Sequence, residues 1–445
     1  MKRIRFEVEK FGPWEIDVAR TVYPPREDTE LLCRAISRLT GRASKAVEIG
    51  CGSGVVSMAL STLGWEVDAY DVNPYAVACS RANIERYGFE DKISVNEGGV
   101  GEFGWEIPNG TKLIVWNLPY LEPQDPGAPM LEPIEEASMT DLRGGGWSEE
   151  LMKSLNHSSD EDLLAVILFR TDPISPSSPT DWFLSGWSCR SLEMKRIGEE
   201  KLEVFALWKT GSGVLEEREG VCESAMDRAA EMPEKGWQRV IVENQISGRG
   251  RRGSSWNSLP GDLLASWKIN RGPADVSTPG MLQIGIGSVI SESLNCYLKW
   301  PNDLITKKGE KIGGILIEAN SSDPGFRIGI GINSSPREVD GVSCRGWSDT
   351  MGQASLDEVF RIVDSRVSGL LERIGMIPDI DQRELEIFSW KSLSESLSRG
   401  VEANLDNERV RIVGIDIEGF LCIEVNGRER VISDVQSIKW SYPEI

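Results

Sequence analysis

The sequence predicts an α/β protein: two successive mixed α/β units and a small all-β tail. Three observations carry this. Between 46 and 116, short apolar runs alternate with helical stretches; a second alternation restarts near 223; beyond 396 only short strands separated by turn residues remain. At 445 residues the chain is long for one domain of ~150 residues, so two or three are expected.

In order, 46–50 reads as a buried strand, 55–63 as a helix, 65–71 as a strand, 74–87 as a helix opened by Pro74, and 113–116 as a strand. Strand–helix alternation implies a parallel sheet covered on both faces. Residues 163–169 and 202–208 fit later strands of that sheet, the second as an antiparallel edge. The Pro/Ser-rich stretch 172–180 is a loop, and Thr210-Gly211-Ser212-Gly213 holds the linker. The second unit reads as a helix at 223–231, strands at 239–243, 262–268, 312–318 and 327–332, and helices at 356–373 and 384–396. Short strands follow near 401 and at 410–415, 420–425 and 429–432, with Gly419 and Asn426-Gly427 supplying turns. The expected boundaries are 1–210, a linker at 211–213, 214–395 and 396–445.

Composition narrows the chemistry. Lys and Arg number 49 against 70 Asp and Glu, a net charge of −21. Such a balance opposes broad contact with phosphate, so no DNA partner is expected. The eight cysteines (Cys33, Cys51, Cys79, Cys189, Cys222, Cys296, Cys344, Cys422) form no CxxC pair and read as reduced thiols of a cytoplasmic protein. The start of the chain is charged throughout, predicting no secretory leader, and no apolar run approaches the ~20 residues of a membrane span. The single histidine, His157, leaves little room for Ser-His-Asp triads, Cys-His dyads or His-rich zinc sites. Catalysis would then rest on Lys, Arg, Asn, Asp and backbone dipoles.

Three clusters in the second half suit one chemistry. Glu243-Asn244-Gln245 leads into Gly248-Arg249-Gly250-Arg251-Arg252-Gly253, followed by Trp256, Ser258, Pro260 and Gly261. Glycines interleaved with arginines make a mobile cationic loop that can close over a phosphate or a mixed anhydride. Alone, such a loop is equally a solvated segment or a nucleic-acid patch. Next come Lys299-Trp300-Pro301-Asn302-Asp303 and Lys311-Ile312-Gly313-Gly314-Ile315-Leu316-Ile317-Glu318. A lysine beside glycines can neutralise a carboxylate and a phosphate together, as an acyl adenylate requires while it forms. Asn302 and Asp303 can orient a nucleotide, and Asp303 can hold Mg²⁺.

With Gly329-Ile330-Gly331-Ile332-Asn333, these clusters make residues 213–445 resemble the biotin–protein ligases. The resemblance implies an α+β catalytic domain followed by a small SH3-like β-barrel. It implies biotin and Mg-ATP as substrates, biotinyl-AMP as intermediate, and a lysine of a biotin carboxyl carrier protein as final acceptor. Ser224 and Gln245 would line the biotin site. Gly248, Arg249, Gly250 and Arg251 would lie in the loop that orders over biotinyl-AMP, with Arg251 restraining it. Trp256 would pack near the adenylate, and Lys311 would polarise the biotin carboxylate and the α-phosphate. Gly313 and Gly314 would bring backbone close to biotin. Lys299, Asn302 and Asp303 would face the nucleotide, and Asn333 the adenine. The family's S-T-[NM]-[DE] element reads Ser224-Ala225-Met226-Asp227 here, and the missing hydroxyl predicts weaker biotin binding. Lipoate ligases share the fold but lack this pairing of loop and KWPND.

In the first half, Glu48-Ile49-Gly50-Cys51-Gly52-Ser53-Gly54 follows a strand and opens a helix, and Asp71 ends the next strand. Such a turn suits a dinucleotide or S-adenosylmethionine; the order E-x-G-x-G-x-G favours the latter. Asn117-Leu118-Pro119-Tyr120 ends a strand. An Asn carbonyl and a backbone carbonyl can both accept from a planar NH₂ group, freeing the nitrogen lone pair to attack a methyl while Tyr120 packs on the plane. With Tyr23-Pro24-Pro25-Arg26-Glu27-Asp28-Thr29-Glu30 upstream and Gly144-Gly145-Gly146 downstream, this half resembles class I (Rossmann-like) release-factor glutamine N5-methyltransferases of the archaeal and eukaryotic branch. The resemblance implies cofactor contacts from Glu48, Gly50, Gly52, Gly54 and Asp71, an acceptor clamp at Asn117, Leu118, Pro119 and Tyr120 with Asn117 catalytic, a peptide-chain release factor as substrate, and a small zinc-binding activator subunit. Two departures stand out. Leu118 replaces a proline, a form shared with rRNA adenine dimethyltransferases. The stretch Asn96-Glu97-Gly98-Gly99 lacks the acidic residue expected near adenine unless Glu97 substitutes. The leading expectation is a bifunctional enzyme. The alternatives are an RNA adenine acceptor, or a methyltransferase-like half that no longer catalyses and binds protein.

Overall fold

The apolar runs of the first half become neighbouring strands of one sheet in the structure, a computed structural model that describes residues 1–123, 138–156, 162–272, 275–319, 325–339 and 341–443. His157 lies outside the described residues. By compactness the chain forms two units, 1–212 with 374–378, and 213–373 with the remainder.

The first unit opens with an antiparallel hairpin, β1 (Lys2–Val8) and β2 (Phe11–Val18). Then come α1 (Glu27–Ser37), β3 (Lys45–Ile49), α2 (Val55–Thr62), β4 (Glu66–Asp71), α3 (Pro74–Arg86), β5 (Ile93–Glu97), β6 (Thr111–Asn117), α4 (Gly146–Asn156), β7 (Leu164–Asp172), α5 (Pro179–Leu184), β8 (Trp187–Ile197) and β9 (Glu200–Lys209). The sheet order is β5-β4-β3-β6-β7-β9-β8, parallel from β5 to β7 and antiparallel thereafter. Two predictions change in detail. The strand at 200–209 is antiparallel but not the edge, because β8 pairs outside it. The sequence of β8 hides a strand: its inner half is largely buried, but its outer half carries exposed Met194, Lys195 and Arg196 without strict alternation. Elsewhere the punctuation is ordinary: α3 starts on Asn73, whose side chain accepts from the Tyr75 amide at 3.0 Å, with Pro74 in the first helical turn.

The second unit is built on one largely antiparallel sheet. Its strands are β10 (Glu217–Cys222), β11 (Gln238–Gln245), β12 (Leu263–Ile269), β13 (Tyr297–Lys299), β14 (Asp303–Ile305), β15 (Lys311–Ala319) and β16 (Phe326–Ile332), with the small β17 (Arg337–Val339) and β18 (Val342–Cys344) at the side. The order is β10-β11-β12-β16-β15-β14-β13, in which β10 pairs in parallel with β11 and the other neighbours are antiparallel, while β18 adds a parallel pairing to β15 at the side. One face is covered by the short α6 (Ala225–Ala230), the other by α7 (Pro279–Ser293) and α8 (Leu356–Leu371). The helix α7 escaped sequence prediction for a physical reason. It is apolar on all sides, so no amphipathic period marks it. Its glycines serve close packing: a Cβ on Gly285 would fall 2.2 Å from Leu385 Cδ1 on α9 (Gln382–Ser398), and one on Gly287 2.6 Å from Leu298 Cδ1.

After α9 come β19 (Glu402–Leu405), β20 (Glu408–Ile415), β21 (Leu421–Val425), β22 (Arg428–Ile432) and β23 (Ile438–Ser441), ordered β22-β21-β20-β19-β23. A barrel was expected here; among the described residues no pairing joins β22 to β23, so the sheet stays open. Arg428, Glu429 and Arg430 are exposed on β22, and charges of that kind suit a free edge. The buried Trp300 ties this tail to the large sheet of the unit, its indole N–H donating to the Gly419 carbonyl at 2.8 Å. Among the described residues no helix is long and apolar enough to cross a membrane.

A buried polar knot fixes α8 on the sheet. Asp364 Oδ1 accepts from the indoles of Trp237 and Trp267, each at 2.8 Å, and Oδ2 from Arg239 Nε at 2.8 Å. Both charged side chains are almost wholly enclosed, so removing one leaves the other buried and unpaired. Asp364→Ala is therefore expected to lower the unfolding free energy by about 3–5 kcal/mol in a urea titration.

Candidate functional site

The sheet of the second unit carries a bare patch. On β15 and β16, Gly314 and Gly331 face each other across the ladder, and Gly329 lies two residues along on the same face. Trp256 settles onto this patch: a Cβ on Gly331 would meet its indole at 2.6 Å, whereas one on Gly314 would stand at an ordinary 3.7 Å. Above the patch lies a cavity of about 450 Å³, within the usual range for small-molecule sites.

The lining brings together most of the predicted residues: Ser224, Gln245, Arg249, Gly250, Arg251, Trp256, Asn302, Asp303, Lys311 and Gly314. Four predicted residues do not line it. Gly248 packs against Trp256, where a Cβ would fall 2.5 Å from the Trp256 carbonyl. Gly313 allows β15 and β16 to approach, since a Cβ would fall 2.7 Å from the Gly331 carbonyl. Lys299 stands outside, 3.9 Å from Asp303. Asn333 is buried, its amide donating to the Arg345 carbonyl at 2.9 Å, so it braces the loop beyond β16. The structure adds lining residues that no motif marked: Ser266 and, from the tail, Val435 and Gln436. These come from segments far apart in sequence, and their types carry no local signal.

Charges in the cavity are sorted by their partners. Lys311 Nζ lies 2.7 Å from Asp303 Oδ1 and 5.5 Å from the centre of the Trp256 ring. Arg249 is fully committed: it donates to both Asp227 oxygens at 2.8 Å and to Glu318 at 2.9 and 3.2 Å. That pairing raises its pKa and holds the Asp227 carboxyl below the usual carboxylate range. Arg251 is half-buried without an ion pair among the described residues, and burial, reinforced by Arg252, lowers its pKa. Arg252 instead pairs with Asp434 of the tail at 2.9 Å. Toward the cavity, then, Lys311 is held on Asp303, and Arg251 is the lining arginine without an ion pair among the described residues. Among the described residues no cluster of three His, Cys, Asp or Glu side chains is placed to hold a metal.

In the first unit, the predicted residues gather at the carboxyl ends of β3, β4 and β6, where the strand order reverses and open α/β sheets bind ligands. Gly50, Gly52 and Gly54 all take left-handed φ values of 67°, 54° and 83°, a turn that side-chain-bearing residues resist. Asp71 clamps it, accepting from the Gly52 and Asn73 amides at 2.9 Å each, and each carboxylate oxygen keeps capacity for a further donor. Glu48 serves the fold: it is fully enclosed and accepts from the Ser57 hydroxyl. Glu97, the possible substitute on the adenine side, is exposed at the end of β5. Asn117 donates to Asp28 Oδ2 at 3.0 Å, while its own Oδ1 is buried with no partner among the described residues. Burial raises the Asp28 pKa, against the hydrogen bonds from Asn117 and Thr29. Leu118 is wholly in the core, Pro119 is half-buried, and Tyr120 is buried, with its carbonyl accepting from Ser175 at 2.9 Å. Beyond the clamp, Asp141 anchors the Gly144–Gly146 segment by accepting from the Trp147 amide at 2.8 Å and the Ser177 amide at 2.7 Å.

Burial pushes the Glu48 carboxyl up to about 8, with Ser57 opposing and Asp71 adding to the rise. The folded chain then holds a proton that the unfolded chain releases near its ordinary value, so this group's contribution falls as pH rises from about 4.5 through 8. Glu48→Gln should flatten that slope: in thermal melts its Tm should gain on the wild type between pH 5 and pH 9, roughly the window of the shift.

Comparison with known proteins finds relatives for both halves of the chain. Residues 228–335 match the biotin/lipoate A/B protein ligase family, and residues 26–117 match the ribosomal protein L11 methyltransferase (PrmA) family. The chain is 30% identical over 224 residues to the bifunctional ligase/repressor BirA of Escherichia coli, covering 45% of this chain and 65% of that protein, just under two thirds of its length. It is 27% identical over 218 residues to the biotin–[acetyl-CoA-carboxylase] ligase of Mycobacterium tuberculosis, covering 44% of this chain and 76% of that one. The release factor glutamine methyltransferase of Gloeobacter violaceus is 24% identical over 214 residues, covering 44% of this chain and 71% of its own. The C-terminal half therefore carries a domain similar to the biotin–protein ligases, and the N-terminal half a domain similar to the release-factor glutamine methyltransferases.

Proposed function

We propose that the chain is a biotin–protein ligase fused to an S-adenosylmethionine-dependent N-methyltransferase. The observation that carries the ligase reading is Lys311, held 2.7 Å from Asp303 at a 450 Å³ cavity between a glycine-cleared sheet and the Gly/Arg loop. In this reading biotin lies over Gly314 with its carboxylate toward Lys311. The carboxylate oxygen attacks the α-phosphorus of ATP, and the bond to pyrophosphate breaks. The Lys311 ammonium offsets charge shared by the carboxylate and the phosphate, where it grows in the transition state. Arg251, without an ion-pair partner among the described residues, is free to swing onto the acyl adenylate, while Arg249 keeps the loop's base on Asp227 and Glu318. A carrier lysine amine then attacks the acyl carbon, AMP leaves, and the nitrogen loses its proton. Mg²⁺ belongs to this reading as a companion of ATP; Asp303 is the carboxylate available to it. Ser224, Gln245, Gly248, Gly250, Trp256, Lys299, Asn302, Gly313 and Asn333 keep the supporting places given above, Gly248, Gly313 and Asn333 by shaping the walls.

The methyltransferase reading is supported by the buried, unpartnered Asn117 Oδ1, an acceptor without a donor until an NH₂ group arrives. Gly50, Gly52, Gly54 and Asp71 would hold S-adenosylmethionine, with Glu48 shaping the turn; the cofactor supplies an electrophilic methyl. The proposed acceptor is a release-factor glutamine clamped by Asn117, Leu118, Pro119 and Tyr120, with a small activator subunit as a further partner. The domain limits 1–210, 214–395 and 396–445, and an SH3-like character of the last, belong to the same reading.

Purified chain supplied with biotin, Mg²⁺ and α-labelled ATP should form biotinyl-AMP, and Lys311→Ala should not, although both fold. Absence of adenylate from the folded wild type would sink the ligase reading. Ala225 lines the cavity where the family pattern carries threonine. Ala225→Thr should tighten biotin by about 2- to 10-fold in calorimetry, the worth of one hydrogen bond.

A further inference from the structure

The acceptor site of the first unit contains a charged residue that no role yet explains. Asp28 lies in the second position of α1, only 3% exposed, where the Tyr23–Glu30 stretch runs into the helix. Its two oxygens are divided. Oδ1 accepts from the Thr29 amide at 2.7 Å and from the Thr29 hydroxyl at 3.3 Å; Oδ2 accepts from Asn117 Nδ2 at 3.0 Å. The opposite end of the same amide, Asn117 Oδ1, is buried and has no partner among the described residues.

We infer that Asp28 is a positioning residue for methyl transfer: it fixes the orientation of the Asn117 amide so that an acceptor oxygen, never a donor, faces the incoming nitrogen. The inference rests on the methyltransferase reading and adds a residue to it. An asparagine amide is nearly symmetric in shape, so packing alone does not choose between its two orientations. A carboxylate does. Turning Asn117 over would set its Oδ1 against Asp28 Oδ2, losing a charge-assisted hydrogen bond and placing two acceptors together. Thr29 completes the device from the other side, because its backbone N–H occupies Oδ1 and leaves Oδ2 for Asn117. The order runs from a backbone amide through a carboxylate to a side-chain amide, and each link dictates the next. The resulting site demands two hydrogens on one atom, as in a primary amide or an exocyclic amine, and rejects carboxylates.

The chain of donors gives a test that separates orientation from bulk. In Asp28→Asn the Thr29 amide still requires an oxygen, so the new NH₂ must point at position 117. Asn117 then turns over and offers a donor to the substrate. The shape is unchanged, but kcat for methyl transfer should fall about 100-fold, while S-adenosylmethionine affinity stays within about twofold. Combining Asp28→Asn with Asn117→Asp restores the pattern, with the amide at 28 donating to a carboxylate at 117 whose other oxygen faces the substrate. Activity should then recover at least about tenfold over Asp28→Asn alone. Tritiated S-adenosylmethionine would be supplied with two acceptors in parallel, a purified peptide-chain release factor and ribosomal RNA, with cofactor binding measured by calorimetry. Unchanged kcat in Asp28→Asn would overturn the proposal while leaving the methyltransferase standing. So would loss of cofactor binding in that variant, or a double variant no better than the single. A wild type that binds cofactor but labels neither acceptor would remove the methyltransferase reading, and this inference with it.

Discussion

On the sheet face where Leu264, Ser266 and Leu316 keep their side chains, Gly314, Gly329 and Gly331 leave one stretch of backbone uncovered, and the rest of the second unit is arranged around that gap. Trp256 can lie flat only because Gly331 has no side chain. Lys311 reaches over the same ground from the first position of β15. The opposite face pays no penalty, since Ile328, Ile330 and Ile332 alternate with the glycines and are buried on that side. A period of two thus lets one strand pack a core and expose a binding floor at once.

Strong negative charge overall makes the distribution of cations around this floor informative. Arg249 and Arg252 are spent on carboxylates of the protein, which anchor the loop at its base and at the tail. Lys311 and Arg251 keep their charge directed at the cavity. The loop is therefore less a uniform cationic patch than two tethers with a free arm between them. An unpaired, half-desolvated guanidinium gains most when an anion reaches it.

Legibility from sequence followed physical contrast. Where glycine, proline and apolar runs alternate sharply, as from β3 to α3, elements emerged close to their observed limits. α7 was invisible because a helix buried on every side has no polar face to set its period, and β8 because half of it is solvent-exposed and charged. The ligase lining was largely readable, since its chemistry sits in short contiguous motifs. Partners that arrive from elsewhere in the chain were not: Glu318 and Asp227 on Arg249, or Asp434, Val435 and Gln436 from the tail. Asp28 had been read only as part of a stretch of resemblance; its task depends on a hydrogen bond spanning 89 positions, which no spacing rule encodes.

The bond from the Trp300 indole to Gly419 makes the tail harder to dispense with than its small size suggests. Trp300 belongs to the same tight turn as Asn302 and Asp303, and its ring is buried among Ile284, Leu393, Ala403 and Leu421. Cutting the chain before β19 would expose that ring and free the turn to wander, shifting the carboxylate that Lys311 is set against. Evolutionary shuffling would meet the same obstacle. The tail cannot be exchanged as a self-contained cassette unless its replacement brings a carbonyl and an apolar wall to the same tryptophan.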